Sequence, residues 1–109
     1  MLKPLPTNKT NAALVVSANK HLFCVGGSQP NDETRHEFKY AFANNIWTRL
    51  PAMLVQRENP SICVLGSFLY SFGGLSIGTD ALNIERLKVK WSSYEETPNI
   101  RWEPVYTEG

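Results

Sequence analysis

An internal repeat restricts the fold of this chain more than any other feature of its sequence. Residues 21–27 read His-Leu-Phe-Cys-Val-Gly-Gly and residues 68–74 read Phe-Leu-Tyr-Ser-Phe-Gly-Gly, so both follow one pattern at an offset of 47 residues. Upstream, residues 15–16 (Val-Val) correspond to residues 62–63 (Ile-Cys) at the same offset. Two similar units in tandem predict a repeat architecture, in which each unit buries its apolar faces against its neighbours.

Each copy is predicted to form four short strands. Residues 13–17 and 21–25 are almost entirely apolar, as is typical of strands that are covered on both faces. In residues 37–42 an aromatic residue stands at every second position, which is the period of a strand. Asn44 and Asn45 then predict a tight turn, because Asn tolerates a positive φ. The predicted strands are 13–17, 21–25, 37–42 and 46–50 in the first copy and 61–65, 68–72, a third beginning at 82–84, and 89–93 in the second.

The second copy departs from the first over residues 85–88, where Glu-Arg-Leu-Lys replaces the Asn-rich turn. Trp47 is matched by Trp91 at an offset of 44 residues, and Tyr40 and Ile84 each stand seven residues before their Trp. This common register favours strands joined by a turn at 85–88. A helix is the alternative, because some apolar residues would share one helical face. Those residues are Ala81, Ile84, Leu87 and Trp91.

The composition excludes several classes of protein. Eleven Lys and Arg against ten Asp and Glu leave a net charge of +1, which offers no basic field for nucleic acid or anionic lipid. With 42% apolar residues the chain is too apolar to be disordered. Its apolar runs are far shorter than the roughly 20 residues of a membrane-spanning helix, and the first ten residues lack the pattern of a secretory signal. We therefore expect neither a nucleic-acid partner nor a membrane partner.

Cys24 and Cys63 are too few for the disulfide framework of a small secreted domain. Both lie in predicted strands and do not form a Cys-x-x-Cys pair. We expect two buried, reduced thiols. A reducing, cytoplasmic location follows as the expectation.

The repeat resembles the kelch repeat. That pattern contains an apolar strand, an aromatic-containing strand that ends in Gly-Gly, a Tyr, a Trp about seven residues later, and then Leu-Pro and Met. The matching residues are Gly26, Gly27, Tyr40, Trp47, Leu50, Pro51 and Met53 in the first copy and Gly73, Gly74 and Trp91 in the second. The resemblance covers residues 2–94, and Pro4, which matches Pro51, indicates the end of an earlier partial repeat. The predicted division is an end of a preceding partial repeat at 1–10, a first blade at 11–53, a second blade at 54–97, and a tail or the start of a further repeat at 98–109.

This resemblance implies an all-β fold of two four-stranded antiparallel blades, which together make an incomplete β-propeller. It gives packing roles to the motif residues: Trp47 and Trp91 lie between blades, Tyr40 packs beside them, and the Gly pairs end the second strands. Closed propellers contain about four to eight blades. Two blades therefore leave two outer faces uncovered. We expect the chain to be a piece of a longer protein, to assemble with other copies, or to pack on a partner.

The resemblance also implies a function, which is a non-catalytic module for protein–protein interaction. Kelch propellers bind through the loops after the Gly pair and the loops between blades, here residues 28–36, 75–80 and 52–59. We expect Arg35, His36 and Arg57 to contact an acidic or hydrogen-bonding protein partner. For Arg57 the alternative is that it bonds loop carbonyls of its own blade.

Three other functions remain open at this point. Kelch propellers serve as substrate adaptors of ubiquitin ligases, a role that would need a second domain such as an F-box. The chain could also be a structural scaffold within a larger assembly. The third is a copper radical oxidase, but the sequence has only two His residues and offers no set of metal ligands. We expect no metal and no cofactor.

Overall fold

The computed structural model describes residues 9, 11–17, 20–27, 36–76, 84–89 and 100–106. These residues form ten strands, and no helix occurs among them. The strands are β1 (Ala13–Ser17), β2 (His21–Val25), β3 (Glu37–Ala41), β4 (Ile46–Leu50), β5 (Arg57–Glu58), β6 (Ser61–Leu65), β7 (Phe68–Phe72), β8 (Leu75–Ser76), β9 (Ile84–Lys88) and β10 (Glu103–Pro104). The all-β prediction is confirmed.

The first sheet follows the chain in the order β1-β2-β3-β4, and each pair of neighbours is antiparallel. Its four strands coincide with the predicted ones to within one residue. The β3–β4 hairpin turns at residues 42–45, where Asn45 adopts φ 57° and its backbone N–H donates to the Ala41 carbonyl at 2.9 Å. The hairpin places Trp47 directly opposite Tyr40, with ring centroids 5.0 Å apart.

The second sheet has the order β10-β9-β7-β6. The predicted turn at 85–88 is wrong, because β9 runs without interruption from Ile84 to Lys88 and pairs with β7 along its length. The helix alternative is also wrong over residues 84–89. The fourth strand of this sheet is Glu103–Pro104. Of the predicted strand at 89–93, residues 90–93 lie outside the described residues.

A different tryptophan takes the position that Trp47 has in the first sheet. Glu103 pairs with Arg86, and the same register places Trp102 opposite Leu87. Leu87 in turn pairs with Leu69 as Tyr40 pairs with Leu22, so Leu87 and not Ile84 is the counterpart of Tyr40. Sequence spacing missed this because the β9–β10 connection is much longer than the β3–β4 turn. Trp91, the predicted counterpart, lies outside the described residues.

The repeat boundaries stay predictions, but residues 98–109, predicted as a tail or further repeat, contribute β10 to the second sheet. The two sheets pack face to face and bury one core between them. The first sheet and the segment after it contribute Phe23, Val25, Leu50 and Met53, and the second contributes Leu69, Leu87 and Trp102. Each such side chain stabilises the fold by roughly 1.5–3 kcal/mol on burial.

Trp102 is the largest side chain in this core. It is 2% exposed, and its indole Nε1 donates to the Pro51 carbonyl at 2.8 Å. Its position between the sheets meets both requirements of a buried indole, which are apolar contact for the ring and an acceptor for the N–H. Trp47 lies on the opposite face of the first sheet and is half-buried.

We expect Trp102→Ala to lower the free energy of unfolding by about 3–5 kcal/mol, because it empties a space between the sheets. Trp47→Ala should cost about 1–2 kcal/mol, because part of that ring already contacts solvent. Urea unfolding followed by circular dichroism measures both values. A larger loss for Trp47→Ala than for Trp102→Ala would contradict this assignment of the inter-sheet tryptophan.

Candidate functional site

Strands β2, β4 and β7 all finish at the same end of the two sheets, which we call the loop end. It contains the two Gly pairs, the start of β3, and residues 51–60, which connect the sheets and which we call the inter-sheet segment. Within it β5 pairs with β8, Arg57 opposite Ser76 and Glu58 opposite Leu75, in a separate two-stranded sheet. The inter-sheet segment is therefore hydrogen-bonded to β8, the strand that follows β7 of the second sheet.

A buried carboxylate holds the start of the inter-sheet segment. Glu37, 1% exposed, accepts the Gly26 and Met53 backbone N–H groups, each at 2.9 Å. Lys9 donates to the same carboxylate at 2.9 Å and to the Gly26 carbonyl at 3.0 Å. A charge this deeply buried is tolerated because hydrogen bonds and an opposite charge surround it. Glu37 thus joins the end of β2, the start of β3 and the segment after β4.

A second buried carboxylate holds the middle of the same segment from the other sheet. Glu85 in β9 accepts the Leu54 N–H at 2.6 Å and the Val55 N–H at 3.3 Å. Arg57 Nε lies 3.3 Å from its Oε2, and the Arg57 Nη1 donates to the Gly73 carbonyl at 3.0 Å. Burial raises the pKa of Glu85, and the bond from Leu54, the Arg57 charge and the bond from Val55 oppose that rise.

The Gly pairs let the inter-sheet segment approach the strand ends closely. Gly27 donates its N–H to the Arg57 carbonyl at 2.6 Å. A Cβ added to Gly26 would lie 2.8 Å from that carbonyl oxygen, and one added to Gly74 would lie 2.6 Å from the Glu58 carbonyl oxygen. Both glycines also adopt a positive φ. Their role is therefore to admit a neighbouring backbone.

The loop end still presents side chains to solvent. Leu54 is 54% exposed although its backbone N–H is bound to Glu85. His36, which precedes β3, and Gln56 are half-buried, and Asn59, with φ 53°, is exposed. In the part of the loop end that the structure describes, the site thus presents polar side chains and the exposed aliphatic side chain of Leu54, on a backbone that Glu37 and Glu85 hold by hydrogen bonds.

The predicted binding residues fall into three different places. His36 lies at the loop end, and Arg35 lies outside the described residues, as do most of the loop 28–36 and residues 77–80 of the loop 75–80. Arg57 is only 2% exposed and binds Glu85 and the Gly73 carbonyl. Its guanidinium therefore serves the loop's own structure in the described fold. The role of Arg57 in partner binding stays a prediction, and this geometry does not favour it.

Sequence reasoning did not identify Glu37, Glu85, Lys9 or Leu54. A weak signal existed for the two acids, since each stands near the start of the third strand of its sheet among aromatic or apolar neighbours. A charged residue that faces a core needs partners, and here the partners are backbone N–H groups that the sequence does not show. Leu54 follows the Leu50-Pro51 motif and carries no pattern of its own.

The remaining chemistry of the described residues is limited. Cys24 and Cys63 are free thiols, and burial raises the pKa of Cys24. The described residues contain no group of three or more His, Cys, Asp or Glu side chains arranged to hold a metal ion. They also contain no helix long and apolar enough to cross a membrane.

Comparison with known proteins identifies the repeat. No family model matches the chain. The chain is 30% identical over 104 residues to a protein of Arabidopsis thaliana named as an F-box/kelch-repeat protein. The matched region is 95% of this chain and 26% of that protein. It is also 32% identical over 61 residues to kelch repeat protein M-T9 of Myxoma virus, and this matched region is 56% of the chain and 12% of the viral protein. The chain belongs to the kelch-repeat family.

The kelch assignment agrees with the architecture, since the two four-stranded antiparallel sheets are stacked like propeller blades and do not close a ring within the described residues. The chain spans about a quarter of the plant relative's length and about an eighth of the viral relative's. In this kelch chain the Gly-Gly motif has a visible purpose, because it makes room for the backbone that passes from one blade to the next.

The two glycines of the second pair offer a matched test of that role. Both Gly73 and Gly74 have a positive φ, but a Cβ at Gly73 would meet nothing within 4 Å. Gly73→Ala should therefore cost about 1–2 kcal/mol, the strain of the left-handed backbone alone. Gly74→Ala should cost about 1–3 kcal/mol more, because the methyl group collides with backbone. Equal losses in chemical unfolding would show that close approach is unimportant at Gly74.

The raised pKa of Glu85 predicts how stability depends on pH. The folded chain keeps the Glu85 proton to a higher pH than the unfolded chain, so stability falls as pH rises from the unfolded pKa of about 4.3 through the raised folded value. Glu85→Gln removes this titration. We expect the unfolding free energy of the native chain to fall relative to that of the variant over the pH range that begins at about 4.3 and extends to the raised folded pKa. A difference that stays constant over this range would contradict the prediction.

Proposed function

We propose that this chain is a non-catalytic protein-interaction module that binds a protein partner through its loop end. The loops concerned are those after the Gly pairs, residues 28–36 and 75–80, and the inter-blade residues 52–59. The observation that carries the proposal is the inter-sheet segment, in which Glu37 and Glu85 fix the backbone from beneath while Leu54 stays 54% exposed above it.

This arrangement suits binding for a physical reason. Ordering a loop on association costs free energy, and a loop already fixed in its bound form avoids most of that cost. Interfaces also commonly have an apolar centre inside a polar rim, and Leu54 offers an apolar contact of that kind. His36 and Arg35 are retained in the proposal as polar contacts. Arg57 is retained as the residue that holds the loop, through Glu85 and the Gly73 carbonyl.

A substrate adaptor for a ubiquitin ligase is the second candidate, because one relative is named as an F-box/kelch-repeat protein. In that case the loop end would receive a short acidic or degron-like peptide. A scaffold role in a larger assembly would instead use the outer faces of the two sheets. The two roles use different surfaces, so variants at the loop end and variants on the outer sheet faces distinguish them.

The non-catalytic character and the location belong to the same proposal. The relatives are named for their repeats, which agrees with a binding role for the repeat region. The free thiols of Cys24 and Cys63 agree with a reducing, cytoplasmic location.

Selection of peptides from a displayed random library on the immobilised chain tests the loop end. We expect Leu54→Asp to raise the Kd of the selected peptides by about tenfold or more, because a charge replaces an apolar contact. His36→Ala should raise the Kd by a smaller factor. Fluorescence anisotropy with labelled peptides measures both.

Ile46→Asp is the matched control, because Ile46 is 47% exposed and lies at the opposite end of the first sheet. This variant should leave the Kd within about twofold of the native value. Peptides that bind Leu54→Asp as tightly as the native chain, or that are lost with Ile46→Asp, would overturn the loop-end proposal.

A further inference from the structure

Each sheet has one apolar face that the other sheet does not cover. On the first sheet this face is called flank 1. Its exposed or half-buried part consists of Leu14, Val16, Leu22 and Trp47, while Cys24, Phe38 and Tyr40 on the same face are only 2–3% exposed. On the second sheet the corresponding face, flank 2, is made of Cys63, Leu65, Tyr70, Phe72 and Val105. Leu14 on flank 1 is 63% exposed, and Leu65 on flank 2 is 65% exposed. Neither flank belongs to the loop end.

Flank 2 repeats the face by which the first sheet packs on the second. The strand pairings make Tyr70 and Phe72 the counterparts of Phe23 and Val25. Val105 donates its N–H to the Ile84 carbonyl and so takes the position that Leu50 has opposite Glu37. In the first sheet those three positions are buried against the second sheet. In the second sheet they border an open hollow of about 340 Å³.

Flank 1 repeats the opposite face, by which the second sheet packs on the first. Trp47 is the counterpart of Trp102, and Leu22 is the counterpart of Leu69. The first strands of the two sheets, β1 and β6, are offset by 48 residues in the sequence instead of the predicted 47. The extra residue arises because three residues separate β1 from β2 and only two separate β6 from β7. Leu14 therefore corresponds to Ile62. Flank 1 also borders an open hollow, of about 400 Å³.

The contact between the two sheets is thus a template for a second contact between the flanks. We propose that flank 2 of one copy of this chain packs on flank 1 of another copy, in a head-to-tail interface that repeats the inter-sheet core. The net charge of +1 opposes the approach of two copies only weakly. Flank 2 also contains the ion pair between Arg86 and Glu103, whose Nε and Oε1 atoms lie 2.6 Å apart, with Arg86 directly opposite Tyr70. The corresponding positions of the first sheet are the polar residues Lys39 and Thr48, so the template face is polar there as well.

Head-to-tail contacts close into a ring when the rotation per copy divides a full turn. Because propellers close with about four to eight blades, two to four copies of this two-blade chain would complete a ring. Once closed, the ring has no free flank. The proposal therefore predicts an assembly of fixed size, whose mass does not grow with protein concentration.

Light scattering on a sizing column tests the first step. The native chain should elute at two to four times its mass of 12.3 kDa. Leu14→Asp on flank 1 and Leu65→Asp on flank 2 should each prevent closure, because each buries an unpaired charge in the new interface. Leu54→Asp is the matched control, since Leu54 is similarly exposed but lies on the loop end, and it should leave the mass unchanged. Far-UV circular dichroism verifies that each variant is folded.

Mixing the two flank variants is the decisive experiment. Each variant keeps one intact flank, so an equimolar mixture should form a dimer of one Leu14→Asp chain and one Leu65→Asp chain and stop there. A native chain that is monomeric at about 50–100 μM while folded would overturn the proposal and assign the flanks to other blades or to a different protein. Loss of assembly with one variant only would show that like flanks contact each other, and it would overturn the head-to-tail proposal. The absence of a dimer in the mixture would overturn that proposal as well. All of these outcomes are independent of peptide binding at the loop end.

Discussion

The structure depends on one constraint, which is that a four-stranded sheet with two apolar faces cannot bury both by itself. In this chain the constraint is met once, where Phe23 and Val25 of the first sheet pack on Leu69, Leu87 and Trp102 of the second. Two copies of one kind of sheet pack on each other, and each keeps one uncovered face because two sheets form only one such contact.

Burial of the core also explains why two carboxylates lie inside the protein. The chain leaves one sheet at Leu50 and enters the next at Ser61, so its backbone must cross the end of the core. The backbone N–H groups of Met53, Leu54 and Val55 at that crossing lie outside any strand, and they need other acceptors. Glu37 supplies one acceptor from the first sheet and Glu85 another from the second. The same bonds that complete the fold hold the inter-sheet segment in a defined shape.

The sequence predicted the parts of the fold that local pattern determines. The apolar runs, the Gly pairs and the Asn turn located β1 to β4, β6 and β7, because each feature acts within a few residues. It failed where the determinant was distant. Trp102 replaces the motif tryptophan across a long connection, and only its pairing beside β9 reveals the correspondence. Arg57 was prominent as a charged loop residue, but its burial depends on Glu85, 28 residues away in the chain. Leu54 could not be distinguished from any other loop leucine, because its exposure results from the bonds of its backbone.

The two proposals concern different surfaces, and their geometry relates them. Successive copies in a ring are related by rotation about one axis, and such a rotation leaves the direction along that axis unchanged. The loop end of each copy would therefore face the same side of the ring. Several copies of Leu54, each on a fixed backbone, would then be presented together on one surface. A partner with more than one matching segment would bind such a surface more tightly than it binds a single chain, since the second contact forms at a high effective concentration. On this argument the flanks determine how many binding sites act together, and the loop end determines what each of them recognises.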